Sequence, residues 1–140
     1  KAYKDSKLCN LLMALQIHRQ RPELPVVAWS PGLVIPRTTG GFFRNSRQAN
    51  PLGQALFGFV ARDLLRLTES VEQAGGLLVR LIDEELNQPG FTYWSNGLLG
   101  PGRHQFSPTE PSEEASDSNK ATTLWALSSD LITASLATSN

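Results

Sequence analysis

Pro25-Val26-Val27-Ala28-Trp29, closed by Ser30-Pro31-Gly32, narrows the fold more than any other stretch of this chain. A short, mostly apolar run bounded by prolines has the pattern of a strand buried on both faces, and such strands belong to parallel sheets covered by helices. Upstream, Leu8, Leu11, Leu12 and Leu15 recur at helical spacing, which predicts an amphipathic helix from Tyr3 to Arg19 that ends before Pro22. Helix, buried strand and Pro-Gly loop in that order are what the second half of a doubly wound α/β sheet supplies. Ligands of such sheets bind outside the carboxyl ends of the strands, and Pro31-Gly32 sits at that end.

Residues 33–53 contain Pro36, Gly40, Gly41, Asn50 and Pro51, too many breakers for a regular element. A loop of that length in a compact domain is usually a lid or binding segment, and the adjacent Phe42 and Phe43 argue for that role over disorder. From Gln54 to Arg66 the apolar stripe Leu56, Phe57, Val60, Leu64 and Leu65 predicts a helix with arginines on its other side. A further helix is predicted from Ser70 to Leu86, opened by a Ser70/Gln73 capping box, with Ala74, Leu77, Leu78, Leu81 and Ile82 facing inward. Phe91-Thr92-Tyr93-Trp94 reads as a short final strand. Gly97 to Ser112 reads as a polar, Gly- and Pro-rich tail, and Asp117 to Thr133 as a C-terminal helix with Ser116 as its N-cap and the last residues frayed. No internal repeat is present, so the chain reads as one helix-strand-helix-helix-strand-helix series and not as a solenoid.

The 140 residues, 40% hydrophobic and 19% charged, suit a single globular domain. The abrupt start, without Met and with a helix under way, reads as the later part of a longer polypeptide. No run of 18 apolar residues is present to span a membrane. Cys9 is the only cysteine, so an internal disulfide and a cysteine-rich zinc site are excluded, and a reducing compartment fits. His18 and His104 are too few for a metal cluster, so no metal is expected. Formal charge is zero, yet residues 1–103 carry 12 Lys/Arg against 8 Asp/Glu. Arg37, Arg44, Arg47, Arg62 and Arg66 face only Asp63 between residues 37 and 66, which suits an anionic ligand, an anionic membrane surface or a solvated basic face. Nucleic acid is not expected, because no binding motif accompanies these arginines.

Chemistry is carried first by Tyr3 and Lys7, which a helix places on one face. A phenol titrates near pH of about 10, and a neighbouring ammonium prepares it to exchange a proton near neutrality. The alternative reading of this spacing is a solvated helical pair.

Tyr-Lys-Asp-Ser-Lys-Leu-Cys-Asn at 3–10, Ser-Pro-Gly at 30–32, Tyr-Trp-Ser-Asn at 93–96 and Ser-Glu-Glu-Ala-Ser-Asp at 112–117 occur in this order, and with them the chain resembles the light-dependent protochlorophyllide reductases. That family lies within the short-chain dehydrogenases/reductases. The resemblance covers essentially all 140 residues and corresponds to the C-terminal half of the family's chain. It implies the C-terminal portion of an α/β, Rossmann-like parallel sheet whose dinucleotide-binding half is absent, with residues 33–53 as substrate lid and 117–133 as C-terminal helix.

The resemblance implies NADPH as cofactor and protochlorophyllide as substrate, reduced in a step of chlorophyll biosynthesis that requires light. Tyr3 is implied as proton donor to the ring D double bond, and Lys7 as holder of the nicotinamide ribose hydroxyls. Pro31, Gly32, Leu33 and Val34 would pass along the nicotinamide, and Thr38 or Thr39 would contact its carboxamide or the phosphates. Cys9, Phe42, Phe43, Arg44 and Arg47 are expected at the pigment, where a flat tetrapyrrole needs an apolar slot and cationic anchors. Peripheral association with a photosynthetic, thylakoid-type membrane, homo-oligomerisation, and a cytoplasmic or plastid location are family expectations. Two departures stand out: Leu33 replaces a cysteine that many members carry after Pro-Gly, and the loop from Leu33 to Thr39 is about two residues longer than the common form. Two other functions fit the same residues, a dark short-chain reductase acting on a carbonyl and a pigment-binding homologue without turnover.

Overall fold

The computed structural model describes residues 2–35, 48–86 and 88–138. Helix α1 (Ala2–Gln20) follows the leucine spacing and stops just ahead of Pro22, as a missing backbone N–H and a clash with the preceding turn require. Strand β1 (Pro25–Ser30) follows, half-buried throughout instead of buried on both faces, because the described elements do not cover it fully.

Helix α2 (Pro51–Gly58) begins three residues earlier than its stripe suggests, because Asn50 caps it by accepting from the Gly53 N–H at 2.9 Å and Pro51 fits the first turn. It runs on into a π-helical turn (Phe59–Leu64) in which the Leu65 N–H reaches back to the Val60 carbonyl at 2.9 Å. The wider turn breaks the 3.6-residue rhythm. The expected stripe is not a buried face: Leu56 and Leu64 are each 64% exposed, Phe57 and Leu65 are also exposed, and only Gly58 and Ala61 are buried. Arg66 ends the segment at φ 49, a left-handed conformation in which a side chain crowds its own carbonyl.

Helix α3 (Val71–Glu85) opens on the predicted capping box: Ser70 Oγ accepts from the Gln73 N–H at 3.0 Å and Gln73 Oε1 from the Ser70 N–H at 3.3 Å. Its inward face is narrower than predicted, with Ala74 and Leu81 buried but Leu78 and Ile82 exposed.

The largest departure is β2 (Gly90–Gly100) with β3 (Arg103–Pro108). The short final strand is an eleven-residue strand, and the polar tail folds back as its antiparallel partner. Pro101-Gly102 makes the turn, Gly102 at φ +67, and the register slips by one residue between Leu98 and Gly100. The sheet order is β1-β2-β3, with β1 and β2 parallel and β3 on the edge. An antiparallel edge strand on an otherwise parallel sheet is common in doubly wound folds. Helix α4 (Ser118–Thr138) extends beyond Thr133, and its cap is Asp117, one residue after the expected Ser116; the carboxylate accepts from Asn119 and Lys120 N–H at 2.9 and 3.1 Å.

The chain forms two compact units, residues 1–28 with 85–93 and 109–140, and residues 29–84 with 94–108. In the first, α1 packs on α4: Leu12, Gln16 and Ala121 are buried, and Thr122 Oγ1 lies 3.4 Å from Gln16 Oε1. In the second, Trp94 is buried with its ring 5.0 Å from that of Phe106, and the Arg80 guanidinium lies 5.9 Å over its face.

Candidate active site

In the first unit the site residues lie on the opening turns of α1. Tyr3 and Lys7 are four apart, and the helix brings the Lys7 Nζ to 5.4 Å from the centre of the Tyr3 ring. Residues 2–7 are all exposed, Tyr3 at 53%. At an exposed site such a cation–π contact contributes roughly 0.5–1 kcal/mol, enough to bias the two side chains toward each other without burying either. The Ser6 hydroxyl donates to the Tyr3 carbonyl at 2.8 Å. Cys9 is half-buried, two residues further along the same helix.

In the second unit the site residues form the turn after β1. Gly32 takes φ +82, open to glycine and strained for other residues, and a Cβ there would meet the Asn96 backbone oxygen at 3.0 Å. Gly32 and Leu33 are exposed, Leu33 at 44%, whereas Pro31 and Val34 are half-buried. Residues 36–47, with Thr38, Thr39, Phe42, Phe43, Arg44 and Arg47, lie outside the described residues.

The sequence did not point to what holds this turn. Asn96 is buried on β2, and its Nδ2 donates to the Pro31 carbonyl at 3.2 Å and to Glu69 Oε1 at 3.0 Å. Glu69, also buried, donates its backbone N–H to the Leu33 carbonyl at 2.9 Å and bridges Val34 in parallel. His104 Nδ1 lies 3.3 Å from Glu69 Oε1, and its Nε2 lies 3.3 Å from the Arg66 carbonyl. The β2–β3 register explains how these groups meet, because Asn96 pairs with Phe106 and Leu98 with His104, so Asn96 and His104 project from one face of the hairpin. A buried carboxylate is costly unless donors surround it, and Asn96 and His104 face the same Glu69 oxygen. Asn96 closes the Tyr-Trp-Ser-Asn stretch, which was the only hint available; Glu69 and His104 carry no spacing signal.

Hydrogen bonds within three ion pairs shift ionisations. A hydrogen bond from Arg21 lowers the Glu23 carboxyl, one to Asp63 raises Arg62, and one to Glu114 raises Lys120. Among the described residues no group of three His, Cys, Asp or Glu is placed to hold a metal ion, and no helix is long and apolar enough to cross a membrane.

A helix, a parallel strand and a Pro-Gly turn at that strand's carboxyl end define an α/β chain of partial Rossmann type. Over 94% of its length this chain is a homologue of one part of the protochlorophyllide reductases, at 32–36% identity. It is 35% identical over 136 residues to protochlorophyllide reductase B, chloroplastic, of Hordeum vulgare and 34% identical over 137 residues to the chloroplastic protochlorophyllide reductase of Pisum sativum. It is 33% identical over 136 residues to the protochlorophyllide reductase of Avena sativa, covering 40% of that protein. The chain spans about a third of the length of the Hordeum and Pisum relatives, 32% and 31%. No family model matches it.

Proposed function

We propose that this chain forms part of an NADPH-dependent, light-driven protochlorophyllide reductase acting in chlorophyll biosynthesis. The observation that carries the reading is similarity to proteins of that name along 94% of the chain. Each unit carries a feature that suits a nicotinamide cofactor. Gly32 leaves the exposed turn after β1 without a side chain, and Lys7 offers an unburied ammonium beside Tyr3.

When bound, NADPH supplies the hydride. Tyr3 gives its hydroxyl proton to the carbon across the ring D double bond. Lys7, whose ammonium lies 5.4 Å from the centre of the Tyr3 ring, would hold the ribose hydroxyls and offset the charge left on the phenolic oxygen. Pro31, Gly32, Leu33 and Val34 would lie along the nicotinamide, and Thr38 or Thr39 would contact its carboxamide or the phosphates. Cys9, Phe42, Phe43, Arg44 and Arg47 serve the pigment, the arginines anchoring its carboxylate. Phe57 and Phe59, 45% and 56% exposed, add apolar surface on α2 and the turn after it. A plastid location, suggested by the relatives' chloroplastic names, and peripheral membrane attachment complete the reading.

The test is Tyr3→Phe in the longest polypeptide carrying these residues. Photoconversion should fall at least about a hundredfold, the usual worth of a general acid, while NADPH and pigment still bind and shift the pigment absorbance. Wild-type yield in the variant removes Tyr3 from the mechanism. Dark NADPH oxidation with carbonyl compounds would point instead to an ordinary short-chain reductase.

A further inference from the structure

Asn96 and Glu69 hold four consecutive residues of the turn after β1 from one side. The Pro31 carbonyl takes the Asn96 Nδ2 bond, and Gly32 lies where any side chain would strike the Asn96 oxygen at 3.0 Å. The Leu33 carbonyl takes the Glu69 N–H bond, and Val34 bridges Glu69. The two holding residues are joined to each other at 3.0 Å and are 7% and 8% exposed. Within the turn, Gly32 and Leu33 are exposed.

Burying a carboxylate to support a surface turn is an expensive way to gain stability, since apolar residues of similar volume serve as well or better. What a hydrogen-bonded polar cluster adds is direction: each donor fixes one oxygen within a few tenths of an ångström. Asn96 supplies both contacts through one amide nitrogen, so the position of Pro31 is tied to that of Glu69, and through Glu69 to Leu33 and Val34.

From this geometry we infer that Asn96 and Glu69 are positioning residues for the nicotinamide cofactor, setting the shape of the 31–34 turn against which it lies. The inference rests on the functional reading above. Neither side chain would touch the cofactor: the Asn96 amide acts on the Pro31 carbonyl, the Glu69 backbone holds Leu33 and Val34, and the Glu69 carboxylate ties the two together.

Two variants of the polypeptide carrying these residues separate positioning from mere stability. Asn96→Asp puts an acceptor where the donor was, opposite both the Pro31 carbonyl and the Glu69 carboxylate. The KM for NADPH in photoconversion should rise about tenfold, the worth of one lost hydrogen bond and an unsatisfied carbonyl, with protochlorophyllide affinity within about twofold, and the melting temperature should fall. Combining Asn96→Asp with Glu69→Gln restores a donor–acceptor pair between the two side chains but gives Pro31 no donor. The double variant should therefore recover most of the melting temperature while its NADPH KM stays raised. Recovery of KM together with melting temperature overturns the positioning role, as does an unchanged KM in folded Asn96→Asp. If wild type binds no NADPH, the functional reading fails and takes this inference with it; if wild type binds NADPH and only the variants behave otherwise than expected, the inference fails alone.

Discussion

Tyr3 and Lys7 stand in the open on the first turns of α1, whereas Asn96 and Glu69 are buried behind the Pro31-Gly32 turn with a half-buried His104 against them. The first pair lies on one helix, with the Lys7 ammonium over the Tyr3 ring. The second group is drawn from the segment before α3 and both strands of a hairpin, and its bonds cross 27 and 65 residues of sequence. Under the proposed function the first pair has to be reachable, so its own packing contributes little, and the second group has to stay in place, so the fold surrounds it.

The comparison breaks first at Trp94, which backs the hairpin carrying Asn96. Trp94→Ala should cost about 3–5 kcal/mol, the usual loss for a buried aromatic, and urea unfolding should show it; a loss under about 1 kcal/mol would mean that the enclosed region is not held by its packing. The opposite signature is expected at the exposed pair. Lys7→Met should lower photoconversion by roughly a hundredfold, or about 2.7 kcal/mol of barrier, yet leave the melting temperature within about 2 °C because only an exposed contact worth under about 1 kcal/mol is lost. A drop in stability matching the loss of activity would erase the distinction between the two regions. The smallest effect sharpens the boundary of the enclosed region. Arg66→Gly removes the left-handed strain at φ 49 while keeping the carbonyl that faces His104, and should stabilise the protein by roughly 0.5–1 kcal/mol in the same urea titration.

The same contrast explains what could be read from the chain alone. Ser70 and Gln73 announce a helix start because a capping box needs only four consecutive residues, and Leu8 to Leu15 announce α1 because one face repeats. That Tyr3 and Lys7 share one face of α1 was legible for the same local reason. Strand β3 was not, because Arg103-His104-Gln105-Phe106-Ser107 offers one large apolar side chain and sits among glycines and prolines; its partner on β2 decides its conformation. Leu78 and Ile82 have the spacing of an inner face but remain exposed, since periodicity states which side of a helix is apolar and not whether anything covers it. Asn96, Glu69 and His104 meet only after the sheet has formed, and no spacing rule links residues so far apart.

The wide turn at Phe59–Leu64 carries one more consequence. A helix that closes its loops over five residues instead of four holds a spare residue in reserve. Loss of one residue there can be absorbed by tightening the coil, leaving Arg66 and the Glu69 that follows it in register, whereas the same loss inside α3 would rotate everything after it by about 100°. The stretch leading into the enclosed cluster is thus where this chain can change length without disturbing what it supports.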